Sequence, residues 1–213
     1  MYSNIASLIE HSLLKRGTTL NEIELLCREA IDNNFAAVCV PPLFVKKAKE
    51  LITGSSVKLV SVIGFPYGYS AIEPKLAEII LAMVDGADEM DMVVNMTALK
   101  NNDWQYLARE LNTILPIVQN KGKVLKVVIE GILLSDDELV KCCDLYGAAG
   151  VPYISLSTGI EEGLPSIETV RLVRKHLADS VQIKIAGDVS SHEAMALFVK
   201  AGVNRIGSRM TVK

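Results

Sequence analysis

The sequence has no concentration of basic residues, no long apolar run and no leader-like N terminus. Its 22 Lys and Arg are scattered among 25 Asp and Glu, and the net charge is −3, so it lacks the basic surface that binds nucleic acid. No segment reaches the roughly 18 apolar residues of a membrane helix, and no basic start leads into an apolar stretch as in secretory signals. We therefore expect a cytoplasmic protein with no nucleic-acid or membrane partner.

Cysteine and histidine are scarce, which limits the metal sites and disulfides that the chain could form. The four cysteines lack the spacing of metal ligands, and two of them, Cys142 and Cys143, are adjacent. Reduced thiols are the ordinary state of such cysteines in a cytoplasm. The three histidines are far apart in the sequence. Neither a metal nor another cofactor is predicted.

The sequence alternates short β-rich runs with longer amphipathic segments along its whole length. Half of the 213 residues are apolar, and near-continuous apolar strands favour a parallel sheet covered on both faces. Because no Pro- or Gly-rich linker interrupts the alternation, we expect a single domain over residues 1–213. The eight predicted strands cover residues 9–12, 35–40, 57–64, 89–95, 124–130, 153–158, 182–188 and 204–208.

Eight strands, each followed by a helix, predict a compact (β/α)8 TIM barrel with a short N-terminal helix. Helix starts are recognisable in the pattern: Thr18 or Thr19 is a plausible N-cap, and Ser135 with Glu138 has the spacing of a capping box. A doubly wound open sheet is the main alternative. It would be expected to have a glycine-rich dinucleotide fingerprint after its first strand, and none is present.

Strand alternation selects candidate functional residues, because every second residue of a barrel strand points inward. Asp91, Lys126, Glu130 and Lys184 each lie on a predicted inward face, where an unpaired charge is costly. A buried structural ion network is one explanation for each residue taken singly. Together they point to catalysis or ligand binding, since a desolvated lysine is the usual Schiff-base nucleophile and an adjacent carboxylate moves protons.

Several motifs resemble those of the deoxyribose-phosphate aldolase family, in order and spacing from about residue 5 to 210. The most specific are "VIGFPYG" (62–68) and "GADEMDMVVNMTALK" (86–100), accompanied by "LKVVIE" (125–130) and "IKIAGD" (183–188). The resemblance implies a TIM barrel that cleaves 2-deoxyribose 5-phosphate into glyceraldehyde 3-phosphate and acetaldehyde. In that family the reaction proceeds through a lysine Schiff base without a metal.

The resemblance also implies roles for individual residues. Asp91 corresponds to the proton-relay acid, and Lys184 to the second lysine, which lowers the pKa of the nucleophilic one. Cys39 corresponds to a cysteine that lines the substrate pocket, and Lys126 to a further strand lysine. The loop containing Thr158 and Gly159 resembles a ligand-binding edge.

The sixth strand departs from the family at its most important position. The family usually has Val-Lys-Thr-Ser-Thr-Gly there, and its lysine forms the Schiff base. In this chain residues 154–159 read Ile-Ser-Leu-Ser-Thr-Gly, so Ser155 occupies the position of the nucleophile. A serine hydroxyl cannot form an imine, and the usual mechanism is not available at this position.

The expected phosphate site is altered as well. The family presents backbone N–H groups to phosphate from a Gly-Gly pair after strand seven and a Gly-x-Ser-Ser run after strand eight. Here Gly187 is followed by Asp188, whose charge repels phosphate, whereas Gly207 and Ser208 are followed by Arg209 and Met210. Arg209 is predicted either to pair with Asp188 or to hold a phosphate itself. Near the first strand, Glu10 takes the place of the family's acidic residue.

These observations leave two main hypotheses and a weaker third. The first is an aldolase-type lyase acting on a sugar phosphate or an aldehyde, with Lys184 as relocated Schiff-base lysine and Asp91 and Glu130 handling protons. The second is a catalytically inactive relative that binds a small metabolite or a protein partner. Metal-assisted aldol chemistry is the third, and the separation of the histidines disfavours it. Apolar surface helices favour a homodimer.

Overall fold

The computed structural model describes residues 5–189 and 191–209, and these form a closed barrel of eight parallel strands. Each strand pairs with the next in chain order, and β8 pairs with β1. The strands are β1 Ile9–Ser12, β2 Ala37–Val40, β3 Lys58–Ile63, β4 Glu89–Val93, β5 Val124–Val128, β6 Tyr153–Ser155, β7 Gln182–Ala186 and β8 Arg205–Ser208. The predicted (β/α)8 TIM barrel is confirmed.

Among the described residues, eight α-helices surround the barrel, and a 3-10 helix at Ile5–Leu8 precedes β1, where a short N-terminal helix was expected. Two other 3-10 helices lie at Pro42–Phe44 and Gly131–Leu133. The α-helices are α1 Leu20–Asp32, α2 Val45–Ile52, α3 Ile72–Val84, α4 Met96–Lys100, α5 Trp104–Asn120, α6 Asp136–Ala148, α7 Ile167–His176 and α8 His192–Ala201. Within the described residues, no helix is long and apolar enough to cross a membrane.

Apolar periodicity and capping residues explain why the helices form where they do. In α1 the buried residues Ile23, Leu26, Cys27 and Ala30 recur at helical spacing, so one face packs on the barrel. Thr19 is the N-cap of α1, and Ser135 with Glu138 forms the predicted capping box at the start of α6. In that box the Glu138 N–H donates to Ser135 Oγ at 3.3 Å, and the Ser135 N–H donates to Glu138 Oε2 at 2.8 Å.

Several strands end earlier than predicted, because side chains and glycines divert the backbone at the carboxyl ends. β4 ends at Val93 rather than at residue 95, since Asn95 accepts from the Ala98 N–H and caps α4. β5 ends at Val128 rather than at residue 130, and Glu130 adopts a left-handed conformation with φ 46°. The loops after β4 and β5 therefore begin two residues earlier in the chain than the sequence pattern indicates.

A buried ion pair joins two helices behind β4. The Lys75 ammonium on α3 donates to Glu110 Oε1 on α5 at 2.6 Å and to the Val93 carbonyl at 2.8 Å. Burial lowers the pKa of Lys75 and raises that of Glu110, while their mutual attraction opposes both shifts. The contact to Val93 ties the end of β4, which precedes the site described next, to the outer helices.

Candidate active site

The barrel interior holds three carboxylates and three cations. Register places Asp91 beside Lys126 on β4 and β5, and Lys184 beside Arg205 on β7 and β8. The other two carboxylates are Glu10 on β1 and Glu89 on β4, and both are buried. The charges within this set balance, which satisfies the condition for burying ions inside a protein.

Lys126 lies at the centre of this interior cluster. Its Nζ is 2.6 Å from Glu10 Oε2, 2.7 Å from Glu89 Oε2 and 3.1 Å from Asp91 Oδ1. Burial alone would lower the pKa of Lys126, but the facing carboxylates outweigh it and raise the pKa well above its usual value. Lys126 is fully buried and therefore acts as a fixed positive charge below the site.

Lys184 is the lysine that reaches the upper part of the interior. Its ammonium donates hydrogen bonds to Glu10 and to Asp91. Burial opposes protonation of Lys184, yet Asp91 and Glu10 raise its pKa above the ordinary lysine value. Burial likewise would raise the pKa of Glu10, but Lys126 and Lys184 lower it far below the usual carboxyl range. At neutral pH this structure holds Lys184 as an ammonium ion.

A cavity lies directly above Lys184 at the carboxyl ends of the strands, where TIM barrels place their active sites. Nine of the residues proposed from the sequence line it. Three come from the strands, Cys39, Asp91 and Lys184; six come from the strand ends or the loops after them, Thr158, Gly159, Gly187, Gly207, Ser208 and Arg209. The cavity volume is about 30 Å³, about the space of one water molecule.

Ser155 does not line this cavity, although it is fully buried beside Lys184 in the strand register. Its hydroxyl donates to the Ser157 carbonyl at 3.1 Å. The Ser157 hydroxyl in turn donates to the Ala186 carbonyl and accepts from the Ala186 N–H, both at 2.7 Å. The two serines therefore join β6 to β7 where the family resemblance predicts a reactive lysine.

Glu130 does not join Asp91, Lys126 and Lys184, contrary to the expectation from strand alternation. It follows the end of β5, and its Oε2 accepts from the Thr158 N–H at 2.9 Å and from the Thr158 hydroxyl. Burial raises the pKa of Glu130 despite these hydrogen bonds. Glu130 also does not line the cavity above Lys184; its carboxylate holds the Thr158 loop in place.

Within residues 5–189 and 191–209, Arg209 forms no ion pair with Asp188, the first of the two contacts considered for it. Its Nη2 donates to the Gly159 carbonyl at 2.6 Å, which links the loop after β6 to the end of β8. Asp188 instead lines a neighbouring cavity of about 410 Å³, together with Glu161, Glu162 and Arg209. Three acidic side chains against one arginine make this cavity unfavourable for an anion.

Sequence reasoning missed two members of the interior cluster. Glu89 lies two residues before Asp91, and Arg205 lies two residues before Gly207, so the alternation rule that selected Asp91 also applies to them. Arg205 Nη2 is 3.6 Å from Glu89 Oε1, and its guanidinium lies over the Tyr153 ring at 5.8 Å. Both lie at the starts of their strands, away from the carboxyl ends at which reactive groups of TIM barrels are expected.

Three potential metal ligands also meet in the interior. Ligand atoms of Glu10, Cys39 and Asp91 all lie within 4.8 Å of one another. The Lys126 and Lys184 ammonium groups already neutralise the two carboxylates. Burial and the two carboxylates raise the pKa of Cys39 well above its usual value, which disfavours the thiolate that binds metals. This donor set therefore fits two lysines better than a metal ion.

The sequence and the fold were compared with those of known proteins. No protein-family profile matches the chain. The deoxyribose-phosphate aldolase of Thermococcus gammatolerans is 41% identical over 212 residues, which cover 99% of this chain and 94% of the relative. The corresponding protein of Caldanaerobacter subterraneus is 38% identical over 211 residues, covering 99% and 91%. The solved deoxyribose phosphate aldolase of Aeropyrum pernix superposes with a TM-score of 0.90 at 30% identity, over 98% of this chain and 88% of that one. The chain therefore belongs to the deoxyribose-phosphate aldolase family.

Proposed function

We propose that this chain is an aldol lyase that uses Lys184 as its Schiff-base amine. The observation that carries the proposal is the position of Lys184, a buried lysine at the floor of the barrel-mouth cavity with Asp91 beside it. Family membership supports aldol chemistry, and Ser155 cannot supply the amine. The substrate is a sugar phosphate such as 2-deoxyribose 5-phosphate, or a related aldehyde-derived compound.

The chemistry requires Lys184 to become neutral before it reacts. Its Nζ lone pair then attacks the carbonyl carbon, and loss of water leaves a protonated imine that withdraws electrons from the bond to be broken. Asp91, which is hydrogen-bonded to the same Nζ, is placed to accept the ammonium proton and to return a proton to the departing oxygen. Glu130 acts in this proposal by positioning Thr158 rather than by transferring protons to the substrate.

We expect the reaction to be slow at neutral pH and to accelerate in alkaline solution. The folded-state pKa of Lys184 is raised by Asp91 and Glu10, after the opposing effect of burial, so the neutral amine is a small minority species near pH 7. Each unit of pH below that pKa costs about tenfold in neutral amine. The rate of imine formation should therefore still be rising at about pH 10, near the ordinary lysine pKa.

Borohydride trapping tests this proposal. Incubation with acetaldehyde and borohydride should attach an ethyl group at Lys184, with a yield that grows from neutral to alkaline pH. The Lys184→Met variant should lose the adduct, whereas Lys47→Met, at an exposed lysine, should retain it. Absence of an adduct at position 184 at every pH would overturn the proposal and favour the alternative, a family member that binds a metabolite or a protein partner without catalysis.

We propose further that the chain is a cytoplasmic homodimer. Four free, buried cysteines support a reducing compartment. On α3 the exposed residues Ile80, Leu81 and Val84 form an apolar patch on the helix surface, and such patches favour association. The Aeropyrum pernix relative is described as a tetramer, which adds support for self-association.

The dimer is tested by the mass of the protein in solution. Sedimentation equilibrium of the full chain should give twice the monomer mass, and Val84→Glu should shift the population to monomer. The control is Leu197→Glu at an exposed leucine on α8, which should leave the mass unchanged. A wild-type monomer at micromolar concentration, or equal effects of both variants, would contradict the proposal.

A further inference from the structure

A second cavity opens on the same end of the barrel, beside the mouth, among the loops after β1, β2 and β3. Its volume is about 610 Å³, within the range of small-molecule sites. It shares the wall residues Leu14, Val62 and Phe65 with the cavity above Lys184. The two cavities are therefore neighbours separated by apolar side chains.

The walls of this cavity are apolar and aromatic. Phe44 and Phe65 contribute rings, and the stacked rings of Tyr67 and Tyr69 lie 5.3 Å apart at the rim. Leu43 is 84% exposed and Tyr69 is 68% exposed. Both side chains therefore expose apolar surface to solvent, and a bound ligand would bury it. Flat rings are the surfaces on which planar ligands stack.

The backbone of the loop that carries Phe65 and Tyr67 is constrained on both sides of these residues. The Gly64 N–H donates to Glu78 Oε2 at 2.7 Å, and the Gly68 N–H donates to the Gly64 carbonyl at 2.7 Å. Gly68 has φ 67°, and a Cβ there would lie 1.8 Å from the Val94 carbonyl oxygen. Only glycine permits this close approach. A loop whose backbone is ordered before binding lowers the entropic cost of binding.

The cavity is lined by two basic side chains and one acidic side chain, Lys15, Arg16 and Glu78. Lys15 pairs with Glu22, whereas Glu78 accepts a hydrogen bond from the Gly64 N–H, which is not an ion pair. The exposed guanidinium of Arg16 has no ion-pair partner within residues 5–189 and 191–209. The opposite cavity, around Asp188, has an excess of acidic groups. Of the two cavities beside the mouth, an anion is favoured in the one with Arg16.

We propose that this cavity binds a planar aromatic compound carrying a carboxylate, with its ring against the tyrosine wall and its carboxylate on Arg16. Arg16 can hold a carboxylate through two parallel N–H donors. Because apolar side chains separate this cavity from Lys184, the binding does not depend on the aldol chemistry proposed for that lysine.

Titration calorimetry with 4-methylbenzoate on the full chain tests the site, because this probe has no carbonyl that forms an imine. Arg16→Gln should weaken binding about five- to tenfold, whereas Arg28→Gln, at another exposed arginine, should not. The uncharged analogue 4-methylbenzyl alcohol should bind wild type and Arg16→Gln equally. Leu43→Ala should weaken the binding of both probes, whereas Leu197→Ala should leave both affinities unchanged.

The affinity for 4-methylbenzoate should be the same in Lys184→Met as in wild type. Failure of the aldolase proposal would therefore not affect this test. No heat of binding at millimolar probe, or equal affinities for wild type and Arg16→Gln, would overturn the proposal. Full competition by inorganic phosphate, with Leu43→Ala behaving as wild type, would also overturn it, because it would indicate a simple anion site without the aromatic wall.

Discussion

Replacing Lys126 by methionine is expected to lower the free energy of unfolding by about 3–5 kcal/mol, the usual cost of removing one partner from a buried ion pair. Methionine fills much of the volume of lysine but carries no charge. Its introduction leaves Glu10, Glu89 and Asp91 with only Lys184 and Arg205 to neutralise them. Urea unfolding at neutral pH measures the loss directly.

The pH dependence of this loss separates electrostatics from packing. Lys126 and Lys184 lower the pKa of Glu10 in the folded protein, against the effect of burial. A lowered carboxyl pKa stabilises the fold above the unfolded-state value, and that stability disappears as the pH falls. The difference in unfolding free energy between wild type and Lys126→Met should therefore become smaller as the pH falls from 7 toward about 3.

A matched control uses a lysine in an exposed pair. Lys47 lies 3.3 Å from Glu50 on the surface of α2, and exposed pairs contribute about 0.5 kcal/mol or less. Lys47→Met should therefore change the unfolding free energy little at either pH. If Lys126→Met were as mild as this control, the interior cluster would not hold the barrel together as the distances indicate.

The second large effect is a gain of function. Ser155→Lys should increase the rate of aldol cleavage of 2-deoxyribose 5-phosphate by at least about tenfold for each unit that the reacting lysine's pKa falls. The new side chain would start next to Lys184 in the register and opposite Val128. Burial and the neighbouring positive charges both disfavour a second ammonium there, so the added amine would be neutral more often than Lys184 is.

Ser155→Met provides the control, since it has a similar length without an amine. Ser155→Met should not increase the rate of aldol cleavage. In Ser155→Lys, borohydride trapping should place the adduct at position 155. An adduct that stays at position 184 in Ser155→Lys would show that the new amine does not reach the cavity. Thermal unfolding of both variants checks that the barrel remains folded.

The regular parts of this molecule were predictable from the sequence, because they follow from periodicity. Alternating strands and amphipathic helices predicted the barrel, and inward parity correctly selected Asp91, Lys126 and Lys184 as neighbours. The same rule was wrong for Glu130, since parity holds only while a strand continues. Its positive φ places it outside the strand pattern, and nothing in the local residue types indicates that.

Features that depend on several loops at once could not be read from one stretch of sequence. The contact between Arg209 and the Gly159 carbonyl joins residues 50 positions apart, and a backbone acceptor carries no side-chain signal. The aromatic cavity combines three separate loops, each of which contributes only a few ordinary apolar residues. Such sites form only in the folded barrel, because closure of the sheet brings these loops together at one end.

The equal numbers of positive and negative charges inside the barrel have a consequence for stability at position 155. A lysine there would bring a seventh ionisable group into an interior whose three cations and three carboxylates already balance. Its amine would be buried either as an unmatched ammonium or as a neutral group removed from water, and both forms are unfavourable. The gain in activity expected for Ser155→Lys would therefore be accompanied by a loss of stability, a form of the trade-off between activity and stability.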